Sequence, residues 1–274
     1  MDALAIALLA FFATGYFVLA GADIGTGMLL PYLGRTDHER RLVIASFAPF
    51  FLGNEVWLVA TAGVLVGCFP DLEGELMTGQ FVVFVPLLTG WIVRDVGLWS
   101  RGRGPARGPG DEPGGERRRD RAGAWRAVCD GAVVCGSWAV ALGWGWLLAA
   151  LLTGTPYETA AGPVAVLTAL AVAVLFAAHG LGFATLRLTG RPYARARRLV
   201  GRTGSWQSFA LTAVLLGALP VVAGSALPLA ARAADSATLS LLVPALLVVL
   251  PLLVAAQVWT WRTFRHRVTR PSYL

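Results

Sequence analysis

The chain contains no lysine, and three histidines, three cysteines and three methionines are few for 274 residues. Charged residues make up 14% of the sequence, whereas a soluble globular domain carries about 25%. The hydrophobic share is 56% and the mean hydropathy is +0.65. These values exclude an ordinary soluble domain and predict an all-α integral membrane protein.

Residues that ligate metals are scarce in the apolar part of the chain. His179 is the one histidine within an apolar run, because His38 and His266 lie in basic segments. Cys129 and Cys135 are six positions apart, which fits neither a CxxC motif nor a zinc site. A bis-histidine haem site is therefore excluded, and the sequence has no Walker, GxSxG or HExxH motif. We predict that the chain binds no metal or cofactor directly and is not a redox enzyme alone.

Seven apolar runs are long enough to cross a hydrocarbon core of about 30 Å at about 1.5 Å per helical residue. The first run lacks a basic start and an A-x-A cleavage signal, so we expect a retained span and no signal peptide. The predicted spans are about 3–32, 43–69, 78–100, 124–152, 160–187, 204–227 and 238–262.

The segments between the spans alternate in charge. The first, third and fifth are rich in arginine, whereas the second and fourth contain none. By the positive-inside rule, the N-terminus is outside and the C-terminus is cytoplasmic. The net charge of +7 thus reflects topology and does not indicate a nucleic-acid partner. The Gly/Pro/Arg-rich loop 101–123 divides a first bundle of three spans, 1–100, from a second bundle of four spans with a basic tail, 124–274.

Two acidic residues lie within the first two spans. Glu55 stands near the middle of an apolar run, where insertion scales place its cost at about 3 kcal/mol. Asp23 has a similar predicted depth on the preceding antiparallel span. We predict a proton relay or polar pocket formed by Asp23, Asn54 and Glu55, with Trp57 packed beside them. The alternative is a set of interhelical hydrogen bonds that only fix the packing.

Three further polar residues are secondary candidates. His179 is interpreted as a metal ligand, a proton-carrying group or a hydrogen-bonded packing residue. Arg94 and Asp130 form either an ion pair across the third and fourth spans or two solvated end charges. Most of the eight tryptophans in or near span ends are predicted to anchor the protein at the membrane interface. The eight are Trp91, Trp99, Trp125, Trp144, Trp146, Trp206, Trp259 and Trp261.

Three strings in the first two spans carry a family resemblance. In order and spacing, Gly21–Leu29, Leu33–Arg41 and Gly53–Leu58 resemble subunit II of cytochrome bd-type quinol oxidases. Weaker matches continue nearly to the end of the chain. The resemblance implies a multi-pass subunit in the bacterial cytoplasmic membrane, paired as a heterodimer with subunit I and accompanied in some complexes by small accessory subunits.

In this family, subunit I carries haem b and haem d and oxidises quinol, and the complex reduces oxygen to water. The resemblance implies that subunit II holds no catalytic haem, supports assembly, shapes the route for protons or oxygen, and in some members binds a structural quinone. Two departures bear on these roles. Phe51-Leu52 replaces a Trp-Asp pair whose aspartate is associated with proton uptake, and two of about nine family spans are missing, near residues 200–225.

Two other functions remain open at this point. One is a proton-coupled secondary transporter that uses Asp23 and Glu55, although such folds commonly contain repeated halves and the sequence shows no internal repeat. The other is a pure assembly scaffold in which every buried charge is structural.

Overall fold

A computed structural model describes residues 1–102 and 116–270 of the chain. The regular secondary structure in these two ranges is helical, and seven of the helices are long and apolar enough to span a membrane, α1, α3, α5, α6, α7, α9 and α10. This confirms the predicted all-α membrane fold. The helices are α1 Asp2–Met28, α2 Leu30–Leu33, α3 Asp37–Cys68, α4 Pro70–Gly79, α5 Phe81–Arg101, α6 Glu116–Leu152, α7 Pro163–Arg187, α8 Gly190–Val200, α9 Ser205–Ser225, a 3-10 helix Leu229–Arg232, and α10 Ser236–Thr263.

The first predicted span is two helices, because the chain leaves helical geometry at Leu29 and restarts with Pro31 in the first turn of α2. The second span begins six residues before its apolar run. There the Thr36 hydroxyl accepts a hydrogen bond from the Glu39 N–H at 3.2 Å, and the Glu39 carboxylate accepts one from the Thr36 N–H at 3.4 Å. This capping box satisfies backbone groups at the start of α3.

Two helices lie in segments that the sequence reading treated as loops. Helix α4 occupies the acidic segment after the second span, and α8 occupies most of the basic segment between α7 and α9. Helix α8 buries Pro192 and Ala196 on one side and carries arginines on the other. Because it connects two spans, α8 lies at one end of the helical array.

The ends of the remaining spans differ little from the prediction. Helix α6 begins at Glu116, so the predicted loop 101–123 is shorter at its C-terminal end, and its residues 103–115 lie outside the described ranges. Helix α10 begins after Asp235, whose carboxylate accepts hydrogen bonds from the hydroxyl and backbone N–H of Thr238 and from the Ala237 N–H. These hydrogen bonds lower the pKa of the Asp235 carboxyl.

Helix α1 lies at the centre of the array and packs against α3, α6, α7 and α9. Its contact with α7 is a backbone contact. A Cβ atom added to Gly25 would lie 1.8 Å from the Phe176 carbonyl oxygen, and one added to Gly180 would lie 2.2 Å from the Gly25 carbonyl carbon. Only glycine permits this approach. Helix α5 packs mainly on α6, and α10 mainly on α3.

Candidate functional site

One buried arginine joins carboxylates from three spans. Arg94 of α5 is 2% exposed, and its Nη2 atom lies 2.7 Å from Asp23 Oδ1 on α1. Its Nη1 atom lies 3.1 Å from Asp95 Oδ1 and 3.8 Å from Glu55 Oε1 on α3. Asp23 and Glu55 thus lie near each other, as predicted, because both contact the Arg94 guanidinium group. The sequence around the two acids did not indicate this arginine.

A chain of amide hydrogen bonds extends from Asp23 to α10. Asn54 Nδ2 donates to Asp23 Oδ2 at 2.9 Å and to the Leu19 carbonyl oxygen at 3.0 Å. Asn54 Oδ1 accepts a hydrogen bond from Gln257 Nε2 at 3.0 Å, and Gln257 Oε1 accepts one from Trp57 Nε1 at 3.3 Å. Trp57 is therefore connected to Asp23 through Gln257 and Asn54. These bonds fix the side chains of α1, α3 and α10 relative to one another.

Trp91 completes the site on the side of Glu55. Its indole N–H donates to Glu55 Oε1 at 2.8 Å. The indole of Trp144 likewise donates to the Tyr16 hydroxyl at 3.0 Å. That most of the tryptophans in or near span ends are interfacial anchors stays a prediction. Both indoles lie where a protein acceptor is within reach, as buried indoles usually do. We name the following residues the polar cluster: Asp23, Asn54, Glu55, Trp57, Trp91, Arg94, Asp95 and Gln257.

The polar cluster contains three carboxyl groups and one guanidinium group. A cavity of about 10 Å³ adjoins two of these carboxyl groups and the guanidinium group, and is lined by Asp23, Glu55, Trp91 and Arg94 among others. A polar cavity of roughly 10–15 Å³ is large enough for one water molecule. The excess of carboxyl groups over cations, together with such a cavity, gives the site the capacity to hold and pass a proton.

Phe51 and Leu52 lie on different sides of α3. Phe51 is buried, and its ring centroid is 5.9 Å from the Arg94 guanidinium carbon. Leu52 is 49% exposed on the outer surface of the described helices. A carboxylate at position 52 would therefore face away from Arg94, and the polar cluster does not depend on one.

Both alternatives predicted for Arg94 and Asp130 are wrong, because the two residues form no ion pair and both are buried, at 2% and 6% exposed. The Asp130 carboxylate of α6 instead forms ion pairs with Arg101 Nε at 2.5 Å and Arg40 Nη1 at 3.1 Å. Arg101 itself also contacts Asp37 at 3.0 Å. Arg94 lies seven residues before Arg101, about 10 Å along the helix, and is too deep in the array to reach Asp130. Asp130 thus belongs to an ion-pair group at the end of α5, separate from the polar cluster.

His179 also lies apart from the polar cluster. Its Nε2 atom is 2.9 Å from the Val18 carbonyl oxygen, its Nδ1 atom is 2.7 Å from the Thr212 hydroxyl, and its ring stacks on Phe209 at 4.5 Å. Since a carbonyl only accepts, Nε2 donates to Val18. With both nitrogens bonded to protein, the geometry matches the packing interpretation. In the described ranges, no three His, Cys, Asp or Glu residues gather as metal ligands.

Sequence reasoning missed Gln257, Asp95 and the role of Trp91. Gln257 had a usable signal, because it is the one amide side chain in the span 236–263 and a polar group in lipid requires a partner. Asp95 had none, since it lies near a predicted span end where solvated charges are ordinary, whereas Trp91 lies near the middle of the predicted span 78–100.

A Gln257→Leu variant is expected to lower the apparent Tm of the purified protein by several degrees. The substitution leaves Asn54 Oδ1 and Trp57 Nε1 buried without these partners, and each unsatisfied group costs about 1–3 kcal/mol. Val258→Leu, on the exposed side of the same helix turn, is the matched control and should leave the Tm unchanged. Equal Tm values for the two variants would show that Gln257 does not support the site.

Comparison with known proteins identifies the family. The model of the family described as cytochrome bd terminal oxidase subunit II matches residues 1–108 and 116–231. The chain belongs to this family. It is 31% identical over 202 residues to cytochrome bd ubiquinol oxidase subunit 2 of Bacillus subtilis. The aligned residues are 70% of this chain and 55% of that protein. It is 33% identical over 144 residues to cytochrome bd-I ubiquinol oxidase subunit 2 of Escherichia coli, covering 53% and 34%.

The match to subunit II proteins includes most of the polar cluster. The chain spans about half the length of the Bacillus subtilis relative and a third of the Escherichia coli relative. Asp23, Asn54, Glu55 and Arg94 fall within the part matched by the family model, whereas Gln257 falls beyond it. The amide chain to α10 is therefore a feature that the structure adds to the family match.

Proposed function

We propose that the chain is the subunit without catalytic haem of a bd-type terminal oxidase, a complex that couples quinol oxidation to the reduction of oxygen to water. Its partner in this proposal is a haem-bearing subunit I with haem b and haem d, with small accessory subunits in addition. Family membership and the names of the relatives support the proposal. The bound groups belong to the partner, and this chain's residues contribute packing and proton access.

The polar cluster supports a role in proton transfer. The main observation behind this proposal is that Arg94 contacts both Asp23 and Glu55. A guanidinium group is permanently charged and cannot relay protons itself, so its task is to hold the carboxyl groups in place. Glu55 lines the small cavity, and its side chain is more exposed than that of Asp23, at 18% against 3%. In this proposal Glu55 exchanges the proton and Asp23 remains bound to Arg94.

We also propose an N-terminus outside and a C-terminus in the cytoplasm of a bacterial cell. The arginines that follow α2 and those at the ends of α5, α7 and α10 lie on one side of the array under this topology, as the positive-inside rule requires. The division into bundles 1–100 and 124–274 is part of the same proposal. A structural quinone stays a prediction, although an apolar cavity of about 180 Å³ lies between α1, α3 and α6 near Tyr16 and Trp144.

Co-purification tests the proposed function. A tagged full chain, extracted from its native membrane in mild detergent, should elute with a larger membrane protein and show the visible absorption of haem b and haem d. An unrelated tagged seven-span protein from the same cells is the control. Elution of a folded chain without any haem-bearing companion would contradict the proposal. Co-elution with no effect of Glu55 on activity would instead support the assembly scaffold.

A further inference from the structure

Helix α8 presents a row of arginines at the end of the array. Arg191, Arg195 and Arg198 follow one another at intervals of four and three residues, so they lie on one face of the helix. The apolar side of α8 packs on the array through Pro192 and Ala196. Because α7 and α9 are both long and apolar enough to span a membrane, α8, which connects them, lies at one end of these spans.

Arg195 anchors α8 to the start of α3. Its Nη1 atom donates to the Leu33 carbonyl oxygen at 2.6 Å and to Glu39 Oε2 at 2.7 Å, and its Nη2 atom donates to Glu39 Oε1 at 3.1 Å. The Glu39 carboxylate also accepts the Arg35 backbone N–H at 2.9 Å. The turn before α3 is thereby fixed beside α8, which brings the Arg35 side chain next to the arginine row.

An open recess of about 320 Å³ lies at these residues, and we name it the arginine pocket; it is lined by Arg35, Arg191, Ala194, Arg195 and Arg198. Within residues 1–102 and 116–270, the guanidinium groups of Arg35, Arg191 and Arg198 form no ion pair with a carboxylate. Four arginines thus line the arginine pocket, and the Glu39 carboxylate offsets the charge of one of them, Arg195. Unbalanced positive charge around a concave site favours an anion.

We propose that the arginine pocket binds the phosphate headgroup of an anionic membrane lipid. Arginine forks bind phosphate oxygens through paired N–H groups, and basic pockets beside membrane spans are suited to lipid headgroups. A free phosphate ion shares this chemistry. The lipid is favoured because α8 lies where two spans end and exposes Leu199, at 56%, directly after Arg198. The arginines can therefore bind the headgroup, and Leu199 can contact the acyl chain.

Native mass spectrometry of the delipidated full chain in its purified complex tests the proposal. The protein is titrated separately with phosphatidylglycerol, zwitterionic phosphatidylcholine and inorganic phosphate. We expect saturable binding of phosphatidylglycerol, which Arg191→Gln/Arg198→Gln weakens at least tenfold. Arg195 and Glu39 are unchanged in this variant, so α8 stays anchored. The matched control, Arg262→Gln/Arg265→Gln, removes two exposed arginines from the end of α10 and should bind as the parent protein does.

Three outcomes would overturn the proposal. They are equal phosphatidylglycerol affinity in both double variants, equal affinity for phosphatidylcholine, and full displacement of the lipid by inorganic phosphate at the same concentration. The last result would assign the pocket to a soluble anion. Arg35→Gln, on a different element, is a second variant that guards against misfolding of α8, and it should weaken phosphatidylglycerol binding at least threefold while the Tm stays at the parent value.

Discussion

An Arg94→Gln variant should lose nearly all of its folded, monodisperse protein. The substitution leaves Asp23, Glu55 and Asp95 without the cation that contacts all three. Removing one partner of a buried ion pair costs about 3–5 kcal/mol, which corresponds to a change of more than about a hundredfold in the folding equilibrium. Size-exclusion chromatography of a fluorescent fusion measures the yield, and thermal unfolding measures the remaining stability.

Two further variants distinguish charge compensation from general damage. Asp23→Asn/Arg94→Gln removes the shortest ion pair as a unit, so we expect it to recover part of the yield. Arg94→Lys keeps the charge but lacks the fork that reaches Asp23 and Asp95 together, and should give an intermediate yield. Arg262→Gln, an exposed arginine, is the control for charge loss. A parental yield of Arg94→Gln would refute the structural role assigned to Arg94.

A Glu55→Gln variant should reduce oxygen consumption per haem at least tenfold while the haem content stays unchanged. The amide oxygen of glutamine can still accept the hydrogen bond of Trp91, so the local packing is preserved. An amide cannot take up and release a proton at neutral pH, and positioned proton-transfer groups contribute about 10²–10⁴ in rate. Oxygen uptake with quinol as donor, normalised to the visible haem spectrum, gives the measurement.

Glu75→Gln provides the matched control for this experiment. Glu75 lies on α4, at the end of the array opposite to α8. Its carboxylate pairs with Arg232 and raises the pKa of that guanidinium. Removing it changes one carboxyl group without touching the polar cluster, so oxygen uptake should equal that of the parent complex. If Glu55→Gln also matched the parent, Glu55 would have no part in proton delivery and would serve packing alone.

The spans and the acid pair were predictable from sequence, but the partners of the charges were not. A run of apolar residues identifies a span with little ambiguity because lipid imposes its length. Arg94 and Arg101 are seven residues apart on one face of α5, so periodicity alone could not decide which of them meets Asp130. Depth in the membrane decides it, and depth depends on where α5 ends and how α6 packs on it.

Gln257 and α8 show two other limits of sequence reasoning. A lone amide in α10 indicates that a partner exists, but not that Asn54, 203 positions away, is that partner. The short amphipathic helix α8 was hidden by its composition, because an arginine-rich stretch between two spans also fits an irregular loop. The capping box at Thr36 and Glu39 was readable in advance from its spacing and would have placed the start of α3 correctly.

The bond between Asn54 and Gln257 has a consequence for biogenesis. Ribosomes deliver α3 to the bilayer well before α10, so during that interval the Asn54 amide oxygen lacks its final partner. Once α10 has packed on α3, Gln257 donates to the Asn54 amide oxygen and this group is no longer unsatisfied. A nascent chain arrested before that step exposes an unsatisfied amide at membrane depth, which distinguishes it from the mature array for the proteases and chaperones that survey the membrane.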